Sequence, residues 1–353
     1  MIKNKEFFTQ LDGLRCIAVL LTLIAHWFPA VNWPIVPYSW NGVDIFFVIS
    51  GFLITLLLFR KKEEAAHSKT GIIKNFMVRR ILRLFPLYYL FILFFFLTYK
   101  FFHIQWWIPK LGPYLFTYTS NIYYANNGIE NGIFEHTWSL AVEEQFYLIW
   151  PWLVIFLSPK HFFKLLLSFI LLAFFAHLFP ATFKIIQFPP IKNFNTLGAG
   201  ALLAYLVYYK NESVFYSKLD TFKMPLCIFF VVLYIFFVIY IPDGRYFDCT
   251  REIILTVAGL LLVFNTVAEW KGFFGTLLAS KPFSYVGKIS YGVYLLHMPV
   301  PVFFKIISGK FFPNITISSS LKFIIYFTVT MIIASLSYKF FETPFLRLKR
   351  KFS

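Results

Sequence analysis

Ten runs of apolar residues, each at or near the length that crosses about 30 Å of hydrocarbon as a helix, are spaced along the 353-residue chain. They cover residues 14–31, 43–59, 83–102, 138–157, 162–180, 195–209, 224–242, 252–268, 288–307 and 321–341. Lys and Arg gather between them. The segment RKKEEAAHSKTGIIKNFMVRRILR (60–83) is the most basic stretch and the tail RLKRKFS the next. Because Lys and Arg are retained on the cytoplasmic side, both chain ends are expected inside, with the 103–137 loop and the short PDGRYFD loop outside. The pattern predicts an all-α, polytopic transmembrane bundle of about ten spans, forming one integral membrane domain over residues 1–353.

Composition agrees with this pattern. The chain is 59% hydrophobic and 14% charged, whereas a soluble domain is normally about 25% charged. A net charge of +17 would suggest nucleic acid in a soluble protein. Here the basic residues crowd the ends of apolar runs, so the excess is ascribed to topology and anionic lipid headgroups, and no nucleic-acid partner is expected. Cys16, Cys227 and Cys249 lack metal-ligand spacing, so neither a metal site nor a disulfide framework is expected. Asp12 and Arg15 interrupt the start of the first run and no small-residue cleavage site follows, which reads as an uncleaved first span.

The polar exceptions carry the chemistry. In LDGLRCIAVLLTLIAHW (11–27), Arg15 and His26 lie about 20° apart around a helix axis and about 16 Å apart along it, with Asp12 on the same stripe. Charges facing lipid are costly, so the stripe is expected to point inward. For Arg15 alone, snorkelling to the interface is the simpler account. In NGVDIFFVISGFLIT (41–55), Asp44 is expected near the outer end of the first span, where it would orient His26 as a base; capping its own helix is the alternative. Ser50 and Gly51 allow close approach of a backbone or a thin ligand.

Further along, Arg80 and Arg83 in VRRILRLFP are neighbours on one helical face and suit a phosphorylated cytosolic donor as well as they suit lipid headgroups. His136, Ser139 and Glu143 in HTWSLAVEEQFYLIWPW form one stripe, with Glu144 rotated about 100° away. One of the two glutamates is expected to face a polar cavity. His297 in YVGKISYGVYLLHMP reads as a packing histidine. A buried histidine with carboxylates nearby, above a basic cluster, fits acyl transfer from a phosphorylated thioester to a hydroxyl.

These blocks, with LSYKFFETPFLRLKR (336–350), resemble in order the motif blocks of the acyltransferase family 3 membrane proteins, from about Leu11 to Arg350. The resemblance implies a multi-pass O-acyltransferase of the bacterial inner (cytoplasmic) membrane. Such a protein moves an acyl group, usually acetyl from acetyl-CoA, to a carbohydrate or lipid-linked sugar acceptor, as in O-acetylation of lipopolysaccharide or another polysaccharide. By the same likeness Arg15 and His26 match an Arg-x10-His motif, and Arg80 and Arg83 an Arg-x-x-Arg motif. The expected site is therefore His26, Asp44 and Glu143 as catalytic groups, Arg15, Arg80 and Arg83 on the acyl-CoA, and His136 and Ser50 on the acceptor. Many members carry an appended esterase-like domain; this chain ends at Ser353 and is expected to be the stand-alone form. The alternative from another class is a proton-coupled transporter or flippase for a lipid-linked saccharide.

Overall fold

A computed structural model describes residues 5, 7–28, 42–64, 68–102, 109–128, 132–179, 193–241, 246–311 and 317–352. Of these, 88% are helical and none is in a strand. The architecture is the expected one, because backbone groups in lipid have no water to bond and a helix satisfies them within its own segment. In chain order the helices are α1 (Thr9–Trp27), α2 (Gly42–Glu63), α3 (Lys69–Phe102), the short α4 (Gly112–Phe116) and α5 (Ser120–Asn127), α6 (Thr137–Phe156), α7 (Pro159–Leu178), α8 (Phe194–Tyr209), α9 (Val214–Tyr240) and α10 (Phe247–Val267). They continue as α11 (Gly272–Ala279), α12 (Lys281–Leu296), α13 (Pro299–Phe311), α14 (Ser319–Leu336), a π-helical turn (Ser337–Glu342), α15 (Thr343–Leu348) and a 3₁₀ turn (Lys349–Phe352). Ser158, Ser213 and Ser318 cap α7, α9 and α14 by accepting from backbone N–H groups in the first turn, which satisfies donors a helix start leaves open.

Helices accompany all ten apolar runs, yet six of them meet a length and hydropathy test for spanning, or eight if each bent pair counts as one. The expected count of about ten is therefore not reached by that measure. Helix α8 has only 16 residues, and α6 is made more polar by Glu143, Glu144 and Gln145. The run 288–307 is not one straight helix: α12 and α13 meet at a 59° bend beside Pro299, which cannot continue the hydrogen-bond ladder of the preceding turn.

Two close crossings fix the interior. A Cβ on Gly287 of α12 would stand 1.8 Å from the carbonyl oxygen of Asp12, and one on Gly13 of α1 would stand 2.1 Å from that of Leu278. Helix α1 thus touches α12 at Gly287 and α11 at Leu278, backbone to backbone. In the same way Gly51 of α2 and Gly200 of α8 face each other's helices, with Leu197 O and Val48 O at 2.0 and 2.1 Å from the added Cβ positions. Small residues at such contacts let van der Waals packing hold helices together where lipid gives little hydrophobic drive. On the side of α2 towards α6, Trp150 donates to Thr55 Oγ1 at 2.8 Å. Helices α1, α2, α3, α6 and α12 consequently surround one polar interior.

Candidate active site

A cavity opens between these five helices. Arg15 of α1, Ser50 of α2, Arg80 and Arg83 of α3, Ser139 and Glu143 of α6, and Tyr294 of α12 line it. Five of the eight sequence-predicted site residues, Arg15, Ser50, Glu143, Arg80 and Arg83, thus converge on one space. Their placement has local causes. The Arg15 and Asp12 side chains meet at 3.1 Å, one helical turn apart. Arg80 lies over the rings of Phe76 and Tyr147, 5.3 and 5.1 Å from their centroids, which holds a planar guanidinium flat against the cavity wall. Ser50 donates to Glu143 Oε1 at 2.7 Å and accepts from Tyr147 OH at 3.3 Å. Glu143 rather than Glu144 faces the cavity. Arg83 makes no hydrogen bond or ion pair with another described residue, and the carboxylates of Glu143 and Glu342 act on it from a distance.

The cavity ends at Tyr294, whose OH lies 2.5 Å from Ser139 Oγ and donates to the carbonyl of His136 at 3.0 Å. Beyond it three imidazoles cluster. The ring centroids of His26 and His297 are 4.9 Å apart, and those of His136 and His297 are 5.1 Å apart. His297 Nε2 and His26 Nδ1 are 2.9 Å apart, and His297 Nδ1 is bonded to the carbonyl oxygen of Tyr294.

Directions follow from the acceptors. A carbonyl oxygen only accepts, so His297 Nδ1 carries the hydrogen. With both rings neutral, His297 Nε2 then has a lone pair and His26 Nδ1–H donates to it. That leaves the lone pair of His26 on Nε2, and the His26 side chain keeps an exposed face. His136 is fully buried, donates from Nε2 to the carbonyl of Leu295 at 3.1 Å, and its Nδ1 has no partner among the described residues.

Asp44 joins neither group, which corrects the expectation that it orients His26. Helix α2 starts against Ala18 and Thr22: a Cβ on Gly42 would lie 1.9 Å from Ala18 O. It begins about one turn short of His26, and Asp44 interacts instead with Glu252 and Arg251 of α10. Among the described residues no hydrogen bond joins Asp44 to His26. The position next to His26 Nδ1 belongs to His297, which sequence reasoning took for packing. A signal was present, since Tyr294 and His297 are three residues apart on one face just before a proline.

Together these features describe a multi-pass membrane protein with cations lining an internal cavity and imidazoles clustered beyond its far end. The chain belongs to the acyltransferase family whose sequence model, described as an acyltransferase domain, matches residues 8–339. Among curated proteins it is similar to a peptidoglycan O-acetyltransferase of Listeria monocytogenes, 29% identical over 97% of this chain and 56% of the relative. It is also similar to the O-acetyltransferase OatA of Staphylococcus aureus, 29% identical over 97% of this chain and 57% of the relative. The chain spans a little over half the length of these relatives. No solved structure matches it.

Proposed function

We propose that the protein transfers an acyl group, acetyl in the first instance, from an acyl-CoA held at the basic, cytoplasmic end of the cavity to a hydroxyl of a cell-surface carbohydrate or lipid-linked sugar. The observation that carries this is the orientation of His26: the bond to His297 leaves Nε2 basic, at the far end of an interior whose near end holds Arg15, Arg80 and Arg83. Guanidinium groups bind phosphate oxygens through paired N–H donors, and a cavity with three of them and one carboxylate in its wall fits a donor with several phosphates. The separation of Arg15 from His26, about 16 Å along α1, suits a donor whose thioester lies at the end of a long arm.

In this reading His26 Nε2 takes the hydroxyl proton while the oxygen forms a bond to the acyl carbon. The carbon–sulfur bond breaks, and His26 returns the proton to the departing sulfur. Glu143, held by Ser50, assists by neutralising the arginines or binding the acceptor. His136 lines the acceptor side, with its unpartnered Nδ1 available to a hydroxyl. The name of the Listeria relative makes a peptidoglycan hydroxyl the first acceptor to test.

The experiment supplies acetyl-labelled CoA and isolated cell-wall fragments to the purified protein and to His26→Ala. Label should move to the fragments with the wild type and fall by about 10²–10⁴-fold with the variant, the range for loss of a general base. Equal transfer by the two would remove His26 from the mechanism. Intact thioester with the wild type would favour the transporter.

A further inference from the structure

The chain does not leave the bundle after α14. The π-helical turn and α15 carry it back under the basic end of α3, and both α15 and the turn Lys349–Phe352 pack on α3. Phe352 forms one wall of a small hollow whose other walls include Leu57 and Leu58 of α2 and Ile72, Phe76 and Arg79 of α3. Helix α3 is the one whose Arg80 and Arg83 line the cavity.

Lys349 is half-buried at this seam. Arg79, Arg80 and Arg83 of α3 and Arg15 of α1 lie close enough to repel its ammonium, with Arg347 and Lys351 as charged neighbours on its own segment. It makes no hydrogen bond or ion pair with another described residue. Burial first, and then the four guanidiniums, push its ammonium down to about 7. These five cations, three of which line the cavity, repel one another, and four carboxylates only partly offset them: Asp12 pairs with Arg15, Glu143 and Glu144 lie near Arg80, and Glu342 lies near Arg83. A multiply charged anion would turn that repulsion into attraction.

We propose that the C-terminal turn closes the donor site and that Lys349 is a further phosphate-binding group, joining Arg15, Arg80 and Arg83 on the polyanionic end of the acyl-CoA. The inference rests on the acyl-CoA donor proposed above and adds to it a segment outside the spanning helices. Its consequence is a proton taken up on binding. Above pH about 7 the free Lys349 is largely neutral, and a phosphate beside it favours the charged form. Affinity should therefore fall as pH rises from about 7 to about 8.5, a range in which phosphate monoesters, with a second pKa of about 6, stay fully ionised.

The test measures binding of CoA itself to the full chain in nanodiscs of neutral phosphatidylcholine, for wild type, Lys349→Met, Lys349→Arg and the pair Arg80→Ala with Arg83→Ala. Thermal unfolding serves as the check on folding. Lys349→Met should weaken CoA about tenfold at pH 7, the size of a lost charged hydrogen bond. Lys349→Arg should bind near the wild-type level with no pH dependence over the same range. If the arginine pair loses CoA while Lys349→Met binds as the wild type does, this inference is overturned and the donor reading stands. No CoA binding by the wild type would overturn both. A Lys349→Met effect seen only as lost affinity for phosphatidylglycerol nanodiscs, with CoA binding unchanged, would make the cluster a lipid-headgroup contact and overturn the inference as well.

Discussion

Replacing His297 by leucine removes the group that accepts from His26 Nδ1–H across 2.9 Å while leaving the α1–α12 crossing untouched. In the resting state that bond joins two neutral rings and is worth about 0.5–1.5 kcal/mol. In the proposed mechanism His26 takes the hydroxyl proton, after which the same bond has a charged donor, and such bonds are worth about 1.5–3 kcal/mol. Only the difference between the two states, about 1–1.5 kcal/mol, acts on the chemical step, so catalysis should fall by about 5- to 13-fold, with the loss in kcat and with CoA affinity unchanged. His297→Gln is the informative companion. Its amide can donate to the Tyr294 carbonyl and accept from His26 through its oxygen, so it should recover much of the lost rate. Acetyl transfer measured against acceptor and donor concentration gives the kcat and KM separately. The reasoning fails if His297→Leu turns over within about twofold of the wild type, or if Gln and Leu are equally impaired together with a lowered unfolding temperature.

Two further substitutions probe the frame around that pair. Gly287→Ala should displace α1 from α12 by more than about 1 Å, since the new Cβ starts 1.8 Å from Asp12 O. A shift of that size at the histidines takes their contact beyond hydrogen-bond range, so activity should be lost together with about 1–3 kcal/mol of stability, read by thermal unfolding in detergent; unchanged stability would show that the crossing is looser than described. Ser50→Ala removes a donor to Glu143 and leaves a buried carboxylate short of one bond, which should cost about 1–3 kcal/mol of stability without weakening CoA; a selective loss of CoA affinity would instead place Ser50 on the donor.

The fold class was legible because apolar runs of membrane length are a strong signal, and the cationic wall was legible because polar residues on one face of an apolar helix must turn inward. Arg15 and Glu143 were placed by that argument, whereas Arg80, Arg83 and Ser50 were proposed on helical spacing and small size, and all five line the same cavity. Asp44 was misplaced for a reason the sequence hides. A short connection suggests that two helix ends are close, but it does not say how far α2 is staggered along α1, and the contact of Gly42 with Ala18 sets that stagger. His297 was missed for the complementary reason. Its partner lies 271 residues away, and the bend between α12 and α13 that turns it towards His26 cannot be read from an apolar run that looks continuous. Lys349 escaped notice because a basic tail has an adequate account as a topology signal, and its contact with α3 depends on the π-helical turn.

The separation of cations from imidazoles has its own logic. Phosphates are too strongly hydrated to be drawn deep into a membrane protein, so a site for them belongs at the basic end, where water and arginines are both within reach. An acceptor on the opposite side can be met only if the reactive end of the donor travels inward. In this structure Tyr294 stands at the far end of the cavity, its hydroxyl engaged with Ser139 Oγ and the His136 carbonyl. Turning it aside gives up two neutral hydrogen bonds, about 1–3 kcal/mol in all. A donor that gains comparable energy only in the opened state is enough to shift that balance. On the proposed acyl-CoA reading, a passage joined to the imidazoles when the cavity is filled and closed by Tyr294 when it is empty would protect a thioester from water until an acceptor hydroxyl is in place.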